Sequence, residues 1–211
     1  MRTIRKRTEP ASLTEHRLTP EANYGNYRDK DDLRTCLVQE QRGLCCYCMA
    51  PIRPERGAMK VEHWHSQKYH EDEQLDYSNL LAACIGNDGR RNSDRHCDIC
   101  KGDRDISRNP ANPVHHVDDL TQFPGDGRIV SNDRVFDAEL NEALNLNLPF
   151  LVNNRKAVLD AFKRGLAKRG NLSRALLEKW LQDWNGESSI GDLRPYCQVV
   201  VYWLRKRLAR A

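Results

Sequence analysis

Apolar positions along the chain fall into short, separate patterns. Between Asp31 and Arg42, Leu33, Cys36 and Leu37 form a helical stripe that Gly43 ends, and Cys45-Cys46-Tyr47-Cys48 then reads as a tight knuckle. Met59 to His63 reads as a short strand, Tyr77 to Cys84 as a run leading into a helix or tight turn, and the polar stretch Ile85 to His96 as a surface loop. The first 27 residues, with Pro10, Pro20 and Gly25 and little periodicity, read as an extended arm on the surface or on a partner. Residues 109–133 are loop-like, with a short hairpin around Gly125-Asp126-Gly127. Beyond them, Leu151, Val158, Phe162 and Leu166 mark one amphipathic helix, Leu172 to Trp184 a second and Pro195 to Leu208 a third. The expected organisation is an arm (1–27), a small module (28–108) and a hairpin plus helical extension (109–211).

Composition narrows this picture. The chain has 211 residues, 39% hydrophobic and 30% charged, which suits a globular protein with a polar surface. Its longest apolar run, Val199 to Leu204, is far short of the ~20 residues that span a bilayer, and Met1 to Arg7 lacks a signal peptide's apolar stretch, so a cytoplasmic location is expected. Net charge is +4, but residues 151–211 carry thirteen Lys/Arg against five Asp/Glu, leaving the rest net acidic. A basic extension suits a polyanionic partner, although basic side chains also simply solvate the outer faces of helices. Trp180, Trp184 and Trp203 would be partner anchors if exposed, or core residues of the extension if not.

Eight cysteines point to metal rather than to disulfides in a reducing compartment. Cys36 and Cys197 sit in apolar patterns as small hydrophobes. Cys45 and Cys48 have the spacing of a zinc turn, and Cys46 between them should point away from the metal. The second pair is either Cys84 with Cys97 or the Cys97–Cys100 turn, and spacing alone favours the turn.

The order Cys45-x-x-Cys48, Glu62-His63, Asn79, Cys84, then Cys97-Asp98-Ile99-Cys100-Lys101 resembles the HNH endonucleases. The segments LCCYCMAPI, VEHWHSQ, LDYSNLLAAC and HCDICKGD are similar to the HNH subunit (PtuB) of Septu-type and retron-associated antiphage systems, over about residues 30–105. The resemblance implies an α+β chain: a small zinc-bound ββα-metal (HNH) module with a mainly helical C-terminal extension. It favours Cys84 with Cys97 as the second zinc pair. It further implies that His63 is the general base, that Glu62 and Asp98 hold a catalytic Mg²⁺ or Mn²⁺, that Asn79 orients the loop carrying His63, and that Lys101 contacts the nucleic-acid backbone. DNA is the favoured substrate over RNA, and the implied partner is a separate ABC-type ATPase subunit, PtuA, docked on the arm or the C-terminal helices.

Two features depart from the family pattern. Twelve residues separate Cys84 from Cys97 where generic HNH zinc sites have two, and Asp98 stands where His or Asn is commoner. Taken singly the site residues have blander readings, such as helix caps for Asn79 and Asp98. His65 is a candidate to line the site, whereas His70, His96, His115 and His116 read as surface residues. The competing functions are a non-catalytic zinc module that recognises nucleic acid or protein, and an RNA-cleaving toxin on the same centre.

Overall fold

The computed structural model describes residues 1–169, 173–188 and 190–210. In chain order the elements are α1 (Ala11–Arg17), α2 (Lys30–Glu40), β1 (Met59–His63), β2 (Leu80–Cys84), α3 (Asp98–Lys101), α4 (Val117–Leu120), β3 (Thr121–Gln122), β4 (Val130–Ser131), α5 (Arg134–Ala138), α6 (Pro149–Ala167), α7 (Arg174–Asn185) and α8 (Cys197–Leu208). Helices dominate, and each of the two sheets is a two-stranded antiparallel pair, β1 with β2 and β3 with β4.

Helix α2 buries Leu33 and Leu37, one turn apart, and each such burial contributes roughly 1.5–3 kcal/mol. It ends in a Schellman closure: Gly43 N donates to Val38 O (3.0 Å) and Arg42 N to Gln39 O (3.1 Å), with Arg42 left-handed at φ 54°. That reversal aims the chain into the Cys45–Cys48 knuckle. Strand β2 has no exposed face; Leu80 to Ala83 are fully buried. Its second edge is satisfied by the Gln41 side chain, which accepts from Ala82 N (2.7 Å) and donates to Ala82 O (2.8 Å), and by Cys46 N on the same carbonyl (3.0 Å).

Three expectations change. Tyr77 to Cys84 is a single 3-10 turn and then strand β2, because a continuous apolar run carries no period and pairing with β1 decides its form. The first 27 residues are not a loose arm: they contain α1, they bury Met1, Ile4 and Leu13, and Ile4 N donates to Pro110 O (2.8 Å). Their apolar residues are too sparse to show a period, yet each of these three reaches the core. Nor does packing break near residue 109, since one apolar core runs from Met1 through the knuckle to Leu204.

The hairpin around Gly127 forms as β3–β4, and the three C-terminal helices lie close to their expected places, the predicted Leu172 start of the second being outside the described residues. Gly127 is held at φ 94°, where a Cβ would overlap the Val152 carbonyl oxygen. The tryptophans are partly buried: Phe162 meets Trp184, Trp203 and Trp180 edge-on at ring-centroid distances of 5.4, 5.8 and 6.0 Å, so these rings fill the helical layer. Among the described residues no helix is long and apolar enough to cross a membrane.

Candidate metal centre and adjoining cleft

Cys45, Cys48, Cys84 and Cys97 converge, fully buried or nearly so, with their sulfurs all within 4.8 Å of one another. The Sγ–Sγ distances are 3.8 Å for Cys45–Cys97 and 3.7 Å for Cys48–Cys84. A tetrahedron with Zn–S of about 2.3 Å has edges of about 3.8 Å, so the four thiols fit zinc closely. Two backbone amides point at sulfur, Cys84 N on Cys45 (3.3 Å) and Ala50 N on Cys48 (3.5 Å). The thiols cannot all ionise unaided. Burial works against Cys45 but is outweighed by hydrogen bonds from its cysteine neighbours, so it takes the charge; its hydrogen bond then pushes Cys84 up, and burial pushes Cys97 up. A divalent cation removes that conflict.

This pairing selects Cys84 over Cys100. Cys100 is half-buried and lies 3.8 Å from an Arg104 guanidinium nitrogen. The long insert is closed at its base: His96 N donates to Gly86 O (3.1 Å), and Gly86 at φ 58° lets the backbone double back, bringing Cys84 and Cys97 together. His96, expected on the surface, is buried with Nδ1 3.1 Å from Cys97 Sγ. Only its place beside a ligand cysteine could have hinted at that.

The β1–β2 pair and the one-turn α3 lie beside the cluster, Lys101 of α3 reaching Glu62 and His63 of β1. One cleft of about 560 Å³ is lined by Glu62, His63 and Asp98, by Ser66 and Gln67, and by the basic Lys30, Arg34, Arg56 and Lys60. A larger open hollow, about 810 Å³ by Tyr69, Arg104 and Arg134, contains none of the four expected catalytic residues. His63 Nε2 is 3.0 Å from Gln74 O, a contact in which the ring must donate, so Nδ1 is the acceptor, and it takes the Gln67 side-chain amide (Nε2, 3.2 Å). Burial pulls its pKa down to about 4, so the imidazole is neutral at neutral pH.

Glu62 is buried, with Oε1 taking both the Tyr47 hydroxyl (2.6 Å) and the Lys101 ammonium (2.9 Å). Burial first, then the neighbouring Asp98 carboxyl, drive its pKa well up despite Lys101. Two carboxyls forced together, with hard oxygen donors, suit a divalent ion such as Mg²⁺. The buried Ser66 hydroxyl on the same cleft has no hydrogen-bond partner among the described residues.

Asn79 does not line this cleft. Its Oδ1 accepts from His65 N (2.7 Å), and its Nδ2 donates to His65 O (3.1 Å) and Glu73 O (3.2 Å), clamping the loop that follows His63.

Lys101 is the clear correction. Expected on the phosphate backbone, it is buried, bridging Glu62 Oε1 and His63 O at 2.9 Å each. Helix α3 is one turn long and returns its last residue under β1, where a buried carboxylate needs a counter-charge. Tyr47, Ser66 and Gln74 were not foreseen, because their roles depend on which elements pack together. No family model matches the chain, and no curated protein matches it.

Proposed function

We propose that this chain is an HNH-type endonuclease that hydrolyses phosphodiester bonds, DNA in preference to RNA. The observation that carries the reading is the convergence of Glu62, His63 and Asp98 on one basic-rimmed cleft lined by β1 and α3 beside a four-cysteine cluster. In this mechanism Gln74 O fixes the His63 ring, the Gln67 amide moves off Nδ1 as substrate enters, and neutral Nδ1 then accepts the proton of a water molecule as its oxygen attacks phosphorus and the bond to the 3′ oxygen breaks. Glu62 and Asp98 would hold a divalent ion, which would supply positive charge near the phosphate and the leaving 3′ oxygen. Lys101 and Tyr47 position Glu62 from behind, and Lys30, Arg34, Arg56 and Lys60 are placed to meet backbone phosphates in the role expected of Lys101.

The resemblance to antiphage HNH subunits further suggests work beside an ABC-type ATPase. With the three tryptophans partly buried around Phe162, such a partner would dock on the outer faces of the first 27 residues or of the C-terminal helices rather than on those rings. The test is cleavage of double-stranded DNA, single-stranded DNA and RNA with Mg²⁺ or Mn²⁺, comparing wild type with His63→Ala and Asp98→Ala at equal zinc content. Loss of cleavage in both variants is expected. Equal cleavage by His63→Ala rejects the mechanism, and binding without any wild-type cleavage favours a recognition module.

A further inference from the structure

A second group of metal-type ligands lies outside the cleft and the cysteine cluster. Ligand atoms of His65, His70 and Glu73 all fall within 4.8 Å of one another, on half-buried side chains. His65 Nδ1 is 2.7 Å from Glu73 Oε2, and His70 Nδ1 is 4.0 Å from Glu73 Oε1. The other His70 nitrogen, Nε2, is 2.8 Å from Asp105 Oδ2, and Asp105 also accepts through its second oxygen from Ser66 N at 3.3 Å.

These contacts fix protons. Nε2 of His70 must donate to the Asp105 carboxylate, so in the neutral ring Nδ1 carries a lone pair. Facing the Glu73 carboxylate, that nitrogen takes either a second proton, which the Asp105 hydrogen bond favours by raising the His70 pKa, or a metal ion in its place. A carboxylate that pins the outer N–H of an imidazole and turns its other nitrogen inward is the usual outer support of a metal-binding histidine. The backbone is held as well, because Asn79 hydrogen-bonds His65 on both sides of its peptide unit and Glu73 through its carbonyl. Two imidazoles and one carboxylate form the donor set preferred by late first-row divalent ions.

We propose that His65, His70 and Glu73 bind a divalent transition-metal ion, with Asp105 orienting His70. The His65 and His70 rings are stacked (centroids 4.3 Å, 17° between planes) and His65 Nδ1 donates to Glu73 in the metal-free protein, so on binding one imidazole turns out of the stack and His65 releases that proton as the ion takes its place; both rings are partly exposed to solvent. The ion clips the two ends of the loop from 65 to 73, next to Gln74, whose carbonyl orients His63. Its role is to stiffen that loop, and the site stands whether or not the chain cleaves nucleic acid.

Trp64 is a built-in reporter, stacked on His65 at 4.0 Å. The experiment titrates the full, zinc-loaded chain with Ni²⁺, which favours imidazole, reading bound metal by native mass spectrometry and tryptophan emission. One Ni²⁺ per chain beyond the zinc is expected, with an emission change that disappears in Trp64→Phe. His70→Ala and Glu73→Gln should each weaken Ni²⁺ by more than tenfold, and Asp105→Asn by about tenfold. Unchanged zinc content and circular dichroism show that these partly exposed substitutions leave the fold intact. No second ion, or equal binding by wild type, His70→Ala and Glu73→Gln, overturns the proposal; the cluster is then a proton-sharing pair of His–carboxylate contacts.

Discussion

The Lys101 ammonium lies 2.9 Å from Glu62 Oε1, and each side chain is only 1% exposed. A buried pair of this kind contributes little net stability over an apolar pair of the same shape, but removing one partner strands the other. Lys101→Met should therefore destabilise the fold by about 3–5 kcal/mol, read as a lower urea midpoint, and Lys101→Met with Glu62→Gln should recover much of the loss. If Lys101 were a phosphate contact instead, the single variant would keep its midpoint and lose only nucleic-acid affinity.

Phosphate affinity should reside on the cleft rim. Arg56→Ala and Lys60→Ala are each expected to weaken binding to any duplex sequence and to lower the slope of log affinity against log salt by about 1. Titrations at several salt concentrations check this, and unchanged slopes would move the binding surface elsewhere.

The His63 pKa, lowered to about 4 by burial, sets the acid limb of the reaction. A base with a depressed pKa stays neutral, and able to accept a proton, until pH falls through that lower value. Cleavage should not decline through this group between pH 8 and pH 5, and a rate that halves near the ordinary histidine pKa of about 6.5 would contradict its environment.

Zinc content discriminates the two cysteine pairings. Cys84→Ser should lose the metal and, with it, much of the folding free energy, structural zinc contributing on the order of 10 kcal/mol in small sites. Cys100→Ser should keep one zinc per chain with little change in stability, as judged by elemental analysis and thermal melting.

Gly86→Ala tests the closure of the insert. A Cβ there would overlap the His96 carbonyl oxygen, at a φ of 58° that disfavours a side chain in any case. Weaker zinc retention and a lower melting temperature are expected, whereas alanine at Gly89, where a Cβ has open space, should cost only the strain of its own positive φ.

Legibility in the sequence followed the range of the interactions. The Cys45–Cys48 knuckle, β1 and α2 could be read because each is specified within a dozen residues by spacing, alternation or a closing glycine. Strand β2 was obscured because Leu80 to Cys84 is uniformly apolar, and its form comes from pairing with β1 and from the Gln41 side chain. The choice of Cys84 over Cys100 came from family resemblance rather than from spacing, which favours the nearer turn. The buried positions of Lys101 and His96 were hard to read: polar residues ordinarily face water, and Lys101 is drawn inside by Glu62, distant in sequence, while His96 is drawn in by the sulfur cluster, for which its neighbour Cys97 was the only local hint.

Three backbone hydrogen bonds join the cysteine frame to the C-terminal half: Cys97 N to Leu144 O (2.9 Å), Leu193 N to Arg42 O (3.0 Å) and Tyr196 N to Met49 O (3.1 Å). Each crosses the boundary a reader of the sequence would draw near residue 109. The helices thus serve as the back wall of the metal site, and cutting them away would bare the apolar side of the knuckle and leave those backbone groups without partners. Chelation and helix melting become one event, so calorimetry should record a single cooperative transition.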